Sequence, residues 1–546
     1  MKIFFFILLS AISLNISAQV TQEWVSRYNT GTINDFVTNM DMKLDNSGNI
    51  YVIGISKGTG TQEDFATIKY NSNGVQQWAS RYNGTDNSID EPSSMAIDVS
   101  GNVYVTGSSY TAASGYDFST IKYNSAGVQE WAVKYNGDSN GFDISNSIAV
   151  DNLGNVYVTG KSTGASAQNR SDFTTIKYNS AGVRQWVMKY CGAANQLNEG
   201  MSVAIDIAGN IYVAGKCSEY SYQVDYCVIK YNPAGVQLWK DNYNAFNIGY
   251  DFISSMALDA AGNLYVTGSG HGSGTGLDYQ TIKYSTSGTR LWIARYAGST
   301  SDDRANSIAV DNLGNVYVTG QSLINGLFGC ATVKYNSAGV QQWVAFYESI
   351  QQYSASANAV KLDASGNVYI TGRTSQSSEF GYYDYITVKY NSAGERQWFQ
   401  KYNGTGNYYD EGICIDVDIT GNVIVAGYSD GTTAQHNKDI TTIKYSQSVG
   451  IIATSNNIPA VYSISQNYPN PFNPTTKIKF DLPGSSFVKL NIFDINGRMI
   501  SGLVNGNLQA GSYETEFNGA NFTSGIYYYR IEAGSFTETK KMILMK

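Results

Sequence analysis

The chain has 546 residues, a net charge of −8, and a composition rich in Gly (55) and Tyr (43) with only 7 Pro. Its 13% aromatic content excludes an intrinsically disordered chain, because disordered sequences carry few aromatic residues. The charged fraction is 15% and no basic run occurs, so the sequence argues against a nucleic-acid partner. The abundance of Gly, Tyr, Val, Ile, Thr and Asn indicates short strands joined by tight turns, which predicts an all-β protein.

The first 18 residues have the pattern of a secretory signal peptide. Lys2 supplies the positive charge, residues 3–14 are almost entirely apolar, and Ser17-Ala18 offers small residues for cleavage. About twelve apolar residues are too few to span a bilayer, and the alternative is an uncleaved anchor. We therefore expect an exported protein with no transmembrane segment in the mature chain.

Three motifs recur eight times in phase. The eight tryptophans are spaced 51 to 55 residues apart, a D-x-x-G-N motif precedes an apolar segment in each unit, and TIKY or a close variant follows. Such regularity predicts a repeat architecture. The tryptophans are Trp24, Trp78, Trp131, Trp186, Trp239, Trp292, Trp343 and Trp398, and the motif aspartates are Asp45, Asp98, Asp151, Asp206, Asp259, Asp311, Asp363 and Asp418.

Each unit of about 53 residues contains four predicted strands and no helical stretch. Asp98–Asn102 and 124–127 have the composition of tight turns, because Asp can cap a turn and Gly tolerates positive φ. The central strands are apolar or aromatic on both faces, so neighbouring sheets must cover them, as in a β-propeller. In the second repeat the predicted strands are 95–97, 103–106, 118–123 and 128–135.

The last unit predicts how the propeller closes. It ends at Tyr445 without a tryptophan strand, whereas Trp24 lies alone at the other end of the chain. Because proteins avoid exposed strand edges, we expect residues 21–28 to supply the fourth strand of the last blade. The copy number predicts eight blades, with seven as the alternative.

The GNVYVTG and TIKYN-x-x-G segments resemble the bacterial seven-bladed β-propeller repeat family, known as SBBP repeats. The resemblance covers residues 21–445 and implies a propeller fold, but no single activity. The NSAG turn and its tryptophan, as in Gly127 and Trp131, are also similar to the tryptophan-docking repeat of eight-bladed quinoproteins. The Asp and Thr usual in that turn are missing, so we expect these rings to pack blade on blade and predict no cofactor.

Composition changes near residue 448, where the prolines begin to cluster. Residues 448–465 have the character of a linker, and the segments that follow alternate apolar and polar residues, which predicts a small Ig-like β-sandwich. The predicted organisation is a signal peptide at 1–18, a propeller at 19–447, a linker at 448–465 and a C-terminal domain at 466–546.

The C-terminal domain resembles a type IX secretion system type A sorting domain. The similarity rests on YPNPF at 468–472, DING at 494–497, GIYYY at 525–529 and Lys540-Lys541. It implies that residues 466–546 engage the type IX secretion machinery, and that the protein is released or attached at the outer cell surface. The alternative is a carbohydrate-binding or fibronectin-like sandwich.

The variable connections of the repeats lie at the end of the strands opposite to the regular turns, and function usually resides on such loops. Acidic residues recur there. One interpretation is a carboxylate ring for Ca²⁺ or a polyhydroxylated ligand, and the other is turn capping. The aspartates are Asp90, Asp143, Asp251, Asp303 and Asp410 before first strands, and Asp64, Asp117, Asp172, Asp225, Asp278, Asp384 and Asp439 before third strands.

No catalytic, cofactor-binding or metal-binding residue is assigned from the sequence. His271 and His436 lie in variable loops, where a general base is conceivable but a solvated histidine is the simpler interpretation. The cysteines could be free, or Cys217 could pair with Cys227; the others are Cys191, Cys330 and Cys414. No G-x-S-x-G, H-E-x-x-H or P-loop pattern occurs.

The sequence therefore favours a secreted or surface-displayed propeller that binds a glycan or surface polymer without catalysis. One alternative is an extracellular polysaccharide-acting enzyme with paired carboxylates on the variable-loop face. Another is a purely structural surface protein.

Overall fold

A computed structural model describes most of the chain. The described residues are 20–29, 40–58, 60–138, 140–163, 170–192, 197–218, 223–244, 249–324, 326–348, 354–375, 382–431, 438–447, 452–455, 458–520 and 522–546. The predicted signal peptide and His436 lie outside them. Within these ranges the chain forms strands and turns and no helix, as the composition predicted. Among the described residues no helix is long and apolar enough to cross a membrane.

The described strands of the repeat region form eight sheets, antiparallel except for one short added strand, which we number 1 to 8. Strand β1 (Val20–Tyr28) belongs to sheet 8. Sheets 1 and 2 contain β2 (Asp41–Leu44), β3 (Ile50–Lys57), β4 (Glu63–Tyr70), β5 (Gln76–Tyr82), then β6 (Asp90–Ile97), β7 (Val103–Thr111), β8 (Gly115–Tyr123), β9 (Gln129–Tyr135) and the added β10 (Gly141–Phe142). Sheets 3 and 4 contain β11 (Ile144–Val150), β12 (Val156–Thr163), β13 (Ser171–Tyr178), β14 (Arg184–Tyr190), then β15 (Glu199–Ile205), β16 (Ile211–Cys217), β17 (Asp225–Tyr231) and β18 (Gln237–Tyr243).

The remaining four sheets repeat the same order. Sheets 5 and 6 contain β19 (Phe252–Leu258), β20 (Leu264–Gly272), β21 (Gly276–Tyr284), β22 (Arg290–Tyr296), then β23 (Arg304–Val310), β24 (Val316–Ile324), β25 (Leu327–Tyr335) and β26 (Gln341–Glu348). Sheets 7 and 8 contain β27 (Ala355–Leu362), β28 (Val368–Ser375), β29 (Tyr383–Tyr390), β30 (Arg396–Tyr402), then β31 (Asp410–Val417), β32 (Val423–Asp430) and β33 (Lys438–Gln447).

The central strands are buried on both faces, as their uninterrupted apolar sequence predicted. In β7 every residue from Val103 to Ser109 is buried, so neighbouring sheets cover both sides. The strands extend further than the sequence indicated, because the β7–β8 hairpin stays paired out to Thr111 and Gly115. Most of the connection between the predicted strands 103–106 and 118–123 is therefore strand.

Strand β1 is the fourth strand of sheet 8, as the missing tryptophan predicted, and sheet 8 packs against sheet 1. The sheet order is β1-β33-β32-β31. One hydrophobic core joins Ile50 and Ile68 of sheet 1 to Ile424 and Ile440 of sheet 8. The first strands of neighbouring sheets also contact one another, including β2 with β31. The first and last repeats are therefore neighbours in space.

Seven tryptophans join each sheet to the next in the same way. The indole of Trp78 packs on Gly127 of the following sheet, and its Nε1 donates to the carbonyl of Ser125 at 3.1 Å. Gly127 has a φ of 81°, and an added Cβ would lie 2.6 Å from the Trp78 ring. The predicted blade-on-blade role is confirmed for Trp24, Trp78, Trp131, Trp186, Trp239, Trp292 and Trp343.

The chain divides into two compact units, one of which is Gln22–Ser446 and contains the repeat sheets. The other contains Gln447–Lys546 and includes two four-stranded antiparallel sheets. These strands are β34 (Ile452–Ser455), β35 (Ser463–Ile464), β36 (Thr475–Leu482), β37 (Ser486–Phe493), β38 (Met499–Leu508), β39 (Gly511–Asn518), β40 (Gly525–Ala533) and β41 (Phe536–Leu544).

The two C-terminal sheets share one apolar core. Alternate residues of β36 are buried, and Ile478 and Phe480 meet Leu490 and Ile531 of the other sheet. This period of two is the pattern expected of strands with one face on a core and one on solvent.

Candidate functional site

The regular turns lie at one end of the repeat sheets, which we call the turn face. Both carboxylate oxygens of their aspartates accept hydrogen bonds from the chain. In the second repeat Asp98 Oδ1 accepts the backbone N–H groups of Ser100 and Asn102 at 2.9 and 3.0 Å. Its Oδ2 accepts the amide of Asn102 at 2.8 Å and the hydroxyl of Tyr104 at 3.0 Å. Burial alone would raise the pKa of Asp98, but these hydrogen bonds outweigh it and hold the pKa below the usual value.

Behind seven of these turns a lysine and a tryptophan pack against the ring of one tyrosine. Lys122 lies 5.5 Å from the ring centre of Tyr104, and that ring meets Trp131 at 6.2 Å. The same arrangement recurs at Lys69, Tyr51 and Trp78. These polar and aromatic groups interact with one another, so their role is structural.

Three grooves lie between successive turns of the turn face, where the sequence did not anticipate them. They have volumes of about 370, 290 and 440 Å³ between sheets 1 and 2, 2 and 3, and 3 and 4. Their walls carry the exposed side chains of Val99, Leu153 and Ile207. Their carboxylates accept the hydrogen bonds of the turns, and their lysines lie over the tyrosine rings described above.

At the opposite end of the sheets, which we call the loop face, the aspartates before first strands cap the backbone. Asp143 Oδ2 accepts the N–H of Gly137 at 2.5 Å, and its Oδ1 accepts that of Thr163 at 3.0 Å. Asp303 makes the equivalent bonds with Gly298 and Leu323. Asp90, Asp251 and Asp410 accept the backbone N–H groups of Gly84, His271 and Gly404.

The fourth repeat shows that this position needs an acceptor and not a charge. Asn198 stands where five other repeats have aspartate, and its Oδ1 accepts the N–H groups of Gly192 and Ser218 at 3.2 and 3.1 Å. An amide oxygen thus replaces a carboxylate oxygen in the same two bonds. Of the two interpretations of the acidic ring, the structure supports capping.

The aspartates before third strands are also engaged by groups of the chain. Asp64 and Asp278 pair with Arg81 and Arg295 at 2.8 and 2.5 Å. Side chains also bond Asp117, Asp225 and Asp439, through Ser114, Asn244 and Arg27 respectively. Burial is the main cause that raises the pKa of Asp172, and Asp384 is buried beneath the loop face.

Asp410 is a buried loop-face carboxyl whose pKa is clearly raised. Its side chain is fully buried, and burial raises its pKa to about 6, aided by the charges of Asp384 and Asp430. The hydrogen bond from Gly404 opposes this shift. A buried carboxyl that bonds the backbone is a structural group and not an accessible general acid.

Neither the histidine nor the cysteines form a reactive centre in the described part of the chain. His271 donates its backbone N–H to Asp251. The described residues contain no disulfide bond, so the alternative Cys217–Cys227 disulfide is not formed. Burial raises the pKa of the Cys330 and Cys414 thiols, which disfavours the nucleophilic thiolate. Across the described ranges, no group of three or more His, Cys, Asp or Glu side chains is placed to hold a metal ion.

The loop face exposes aromatic surfaces that sequence reasoning missed. Tyr250 and Phe252 are stacked with ring centres 5.9 Å apart and planes 7° apart, and they are 47% and 39% exposed. Tyr116 and Phe142 are stacked at 5.8 Å and 23°, and Phe142 is 59% exposed. A signal was available, because Phe142 and Tyr250 each immediately precede a loop-face aspartate.

Comparison with known proteins gives two family matches. Residues 77–111, 133–166 and 291–328 match the β-propeller repeat model, and residues 466–545 match the secretion system C-terminal sorting domain. A curated relative, an uncharacterized WD repeat-containing protein of Acanthamoeba polyphaga mimivirus, is 25% identical over 444 residues. That alignment spans 70% of this chain but only 29% of the relative.

Several solved structures are similar at a low level. PorZ, a surface component of the type IX secretion system of Porphyromonas gingivalis, has 12% identity and a TM-score of 0.38, with 92% of this chain and 68% of PorZ covered. A fungal alcohol oxidase of the AA5 family has 12% identity and a TM-score of 0.40, with 97% and 100% covered. The polysaccharide lyase Uly1 has 11% identity and a TM-score of 0.39, with 76% and 92% covered.

The two family matches agree with the two resemblances that the sequence motifs indicated. The repeat segments carry the β-propeller repeat, and the C-terminal 80 residues carry the sorting domain. Such a domain directs secretion and attachment to the outer cell surface. The chain therefore carries β-propeller repeats and a C-terminal secretion-system sorting domain, and the sorting domain indicates secretion and attachment to the outer cell surface.

Proposed function

We propose that sheets 1 to 8 are the blades of one closed eight-bladed propeller, and that its loop face binds an extracellular polysaccharide without catalysing a reaction. The proposed domain boundaries are 19–447 for the propeller, 448–465 for the linker and 466–546 for an Ig-like sorting domain. Residues 466–546 would engage the type IX secretion machinery.

Contacts between the first and last repeats support the closed ring. Trp24 of sheet 8 donates to the carbonyl of Ser72 in sheet 1 at 3.3 Å, which is the bond that joins other neighbouring sheets. Ser26 Oγ donates to the carbonyl of Gly74 at 2.7 Å. Both contacts support a ring that includes the first and the last repeat.

The exposed aromatic stacks carry the binding proposal. Tyr250 and Phe252 present nearly parallel rings on a rigid strand edge, where Asp251 N–H donates to the carbonyl of Val224 at 2.7 Å. Solvent-exposed aromatic pairs of this kind mark binding surfaces, because burying them would otherwise be favourable. A flat apolar ring framed by hydroxyl and amide groups suits the face of a sugar.

The state of the loop-face carboxylates supports binding in preference to hydrolysis. A polysaccharide hydrolase would need two accessible acids about 5 to 10 Å apart with different pKa values. Asp90, Asp143 and Asp303 are instead buried, and their oxygens accept backbone hydrogen bonds. These three aspartates therefore do not fit the roles that the enzyme hypothesis requires.

A polysaccharide and glycan array probed with the purified full chain tests the proposal. We expect saturable binding to at least one neutral glycan, and at least a tenfold loss of affinity in the Tyr250→Ala/Phe252→Ala double variant. Val128→Ala on the turn face is the matched control and should bind like wild type. Parallel measurements with Ca²⁺ and with EDTA test the calcium hypothesis, and absence of any glycan signal would favour the structural alternative.

A further inference from the structure

Three repeats carry a glutamate at the same position, directly after the loop-face aspartate or asparagine. These residues are Glu91, Glu199 and Glu411 in sheets 2, 4 and 8. Each lies at the start of the first strand of its sheet. Their different surroundings allow a comparison within one molecule.

Two of the glutamates are neutralised by cations of the chain itself. Glu199 pairs with Lys216 at 2.7 Å and Lys161 at 3.8 Å, and Asn146 donates to it at 3.0 Å. These contacts with cations outweigh burial and lower the pKa of Glu199.

Glu411 has the same kind of surroundings. It pairs with Arg373 at 3.1 Å and accepts the Tyr428 hydroxyl at 2.6 Å and the Asn358 amide at 2.8 Å. Arg373 corresponds to Lys161 in the repeat, and Asn358 corresponds to Asn146.

Glu91 lacks all of these partners. The positions that correspond to Lys161, Asn146 and Lys216 are occupied in its case by Ile55, Met40 and Ser108. In the described part of the chain its carboxylate has neither an ion pair nor a hydrogen bond. Burial and the charge of nearby Glu63 raise the pKa of Glu91, whereas Glu199 is shifted in the opposite direction.

Three aromatic rings lie in a row on the face of sheet 2 that carries Glu91. Strand pairing places Glu91 opposite Ser108, two residues before Tyr110 on the same strand, and Tyr110 opposite Tyr116, so these side chains share one face of sheet 2. The Tyr110 and Tyr116 rings meet edge to face at 5.2 Å. The charge of Glu91 contributes, after burial, to the raised pKa of Tyr116.

The third ring is held in place by strand β10. Phe142 pairs with Tyr116 in a parallel arrangement, and its backbone N–H donates to Thr163 Oγ1 at 2.9 Å. The N–H of the next residue, Asp143, donates to the Tyr116 carbonyl at 2.7 Å. The three aromatic rings are therefore held in place before any ligand binds, which reduces the conformational entropy lost on binding.

We propose that Glu91 and the rings of Tyr110, Tyr116 and Phe142 bind the protonated amino group of a hexosamine unit in an extracellular polysaccharide. The equivalent glutamates meet an ammonium or guanidinium group of the chain, so the cation that Glu91 lacks is supplied by the ligand. Aromatic faces attract ammonium groups, and the exposed Phe142 ring accommodates the sugar face. This inference rests on the proposed function and names the ligand class of one loop-face site.

Isothermal titration of the full chain at pH 6 with glucosamine hexamer and N-acetylglucosamine hexamer tests this site. We expect wild type to bind the glucosamine hexamer at least about tenfold more tightly, because only that oligomer carries ammonium groups. Glu91→Gln should abolish this preference and leave binding of the acetylated hexamer unchanged. Glu130→Gln, which removes one negative charge from the turn face, should keep the preference.

Equal affinity of wild type for the two hexamers would overturn the inference, as would a preference that survives in Glu91→Gln. Binding of octalysine that depends on Glu91, without binding of either hexamer, would overturn the assignment to a sugar. If array glycans bind through Tyr250 and Phe252 while glucosamine hexamer does not bind, this inference fails and the proposed function stands. If no glycan binds at all, both fail.

Discussion

The turn face and the loop face are built from the same eight repeats, yet they differ in how much the repeats vary. On the turn face, seven of the eight motif aspartates bond two backbone N–H groups, an asparagine amide and a tyrosine hydroxyl, as Asp98 does, and seven tryptophans pack on seven glycines. On the loop face, one position holds Glu91, Ile144, Phe252 or Arg304 according to the repeat.

This difference separates the groups that join the sheets from the groups that are available to a ligand. A turn-face change affects a contact that is repeated around the molecule, so its main consequence is loss of stability. A loop-face change affects one site, so its main consequence is altered binding. The predictions below test this separation, beginning with the largest expected effect.

The largest effect is expected from deletion of residues 19–30, because β1 serves both faces. Its loss removes the Trp24 and Ser26 bonds to sheet 1 on the turn face, and the Arg27–Asp439 ion pair of 2.8 Å on the loop face. We expect the melting temperature to fall by about 10 °C or more, because several bonds worth about 1 kcal/mol each are lost. An unchanged melting temperature in calorimetry would refute ring closure through β1.

A smaller loss is expected from Gly127→Ala on the turn face. The alanine would have to keep the positive φ of Gly127, and its Cβ would lie 2.6 Å from the Trp78 ring. We therefore expect a loss of about 3 kcal/mol in the free energy of unfolding. Urea denaturation measures it.

Gly421→Ala is the matched control for that substitution. Gly421 has a φ of 84° but no atom within 4 Å of the added Cβ, so the variant should lose only about 1 kcal/mol. Equal losses in the two variants would show that backbone conformation, and not tryptophan docking, explains why glycine occupies Gly127.

The smallest effect concerns the pH dependence of stability at Asp410. Burial raises its folded-state pKa to about 6, above the unfolded value of about 3.8, so the folded state retains a proton that the unfolded state releases. Its contribution to stability is therefore full below pH 4 and is lost as the pH rises through 6. Asp410→Asn removes this pH-dependent loss. At pH 8 we expect the free energy of unfolding of the variant to exceed that of wild type by on the order of 2 kcal/mol.

The reverse substitution, Asn198→Asp, supplies the control. It places a carboxyl where the fourth repeat uses an amide, so unfolding of this variant should become more favourable as the pH rises from 4 to 8. If neither Asp410→Asn nor Asn198→Asp alters the pH dependence measured by urea denaturation, the loop-face aspartates are not buried as described.

Much of the fold could be predicted because each local signal had a physical cause. Gly127 requires positive φ, Asp98 caps its turn, and the absent tryptophan after Tyr445 indicated that Trp24 completes sheet 8. The strand ends were less predictable. Cross-strand pairing of Thr111 with Gly115 lengthens a hairpin whose sequence has the composition of a loop.

The loop-face site depended on neighbours that a single repeat does not contain. Part of the difference between Glu91 and Glu199 lies in the preceding sheet, where Ile55 and Met40 replace Lys161 and Asn146, and this part is visible only once the sheets are placed side by side. Phe142 likewise reaches Tyr116 through β10, a two-residue strand too short to recognise in the sequence.

The most direct test of the account is amide hydrogen exchange of the full chain with and without glucosamine hexamer. We predict slower exchange in residues 108–116 and 141–144 of the loop face, and no change in residues 98–102 and 124–128 of the turn face. Protection confined to the turn-face segments would contradict the assignment of binding to the loop face. Protection in neither set would contradict the Glu91 site.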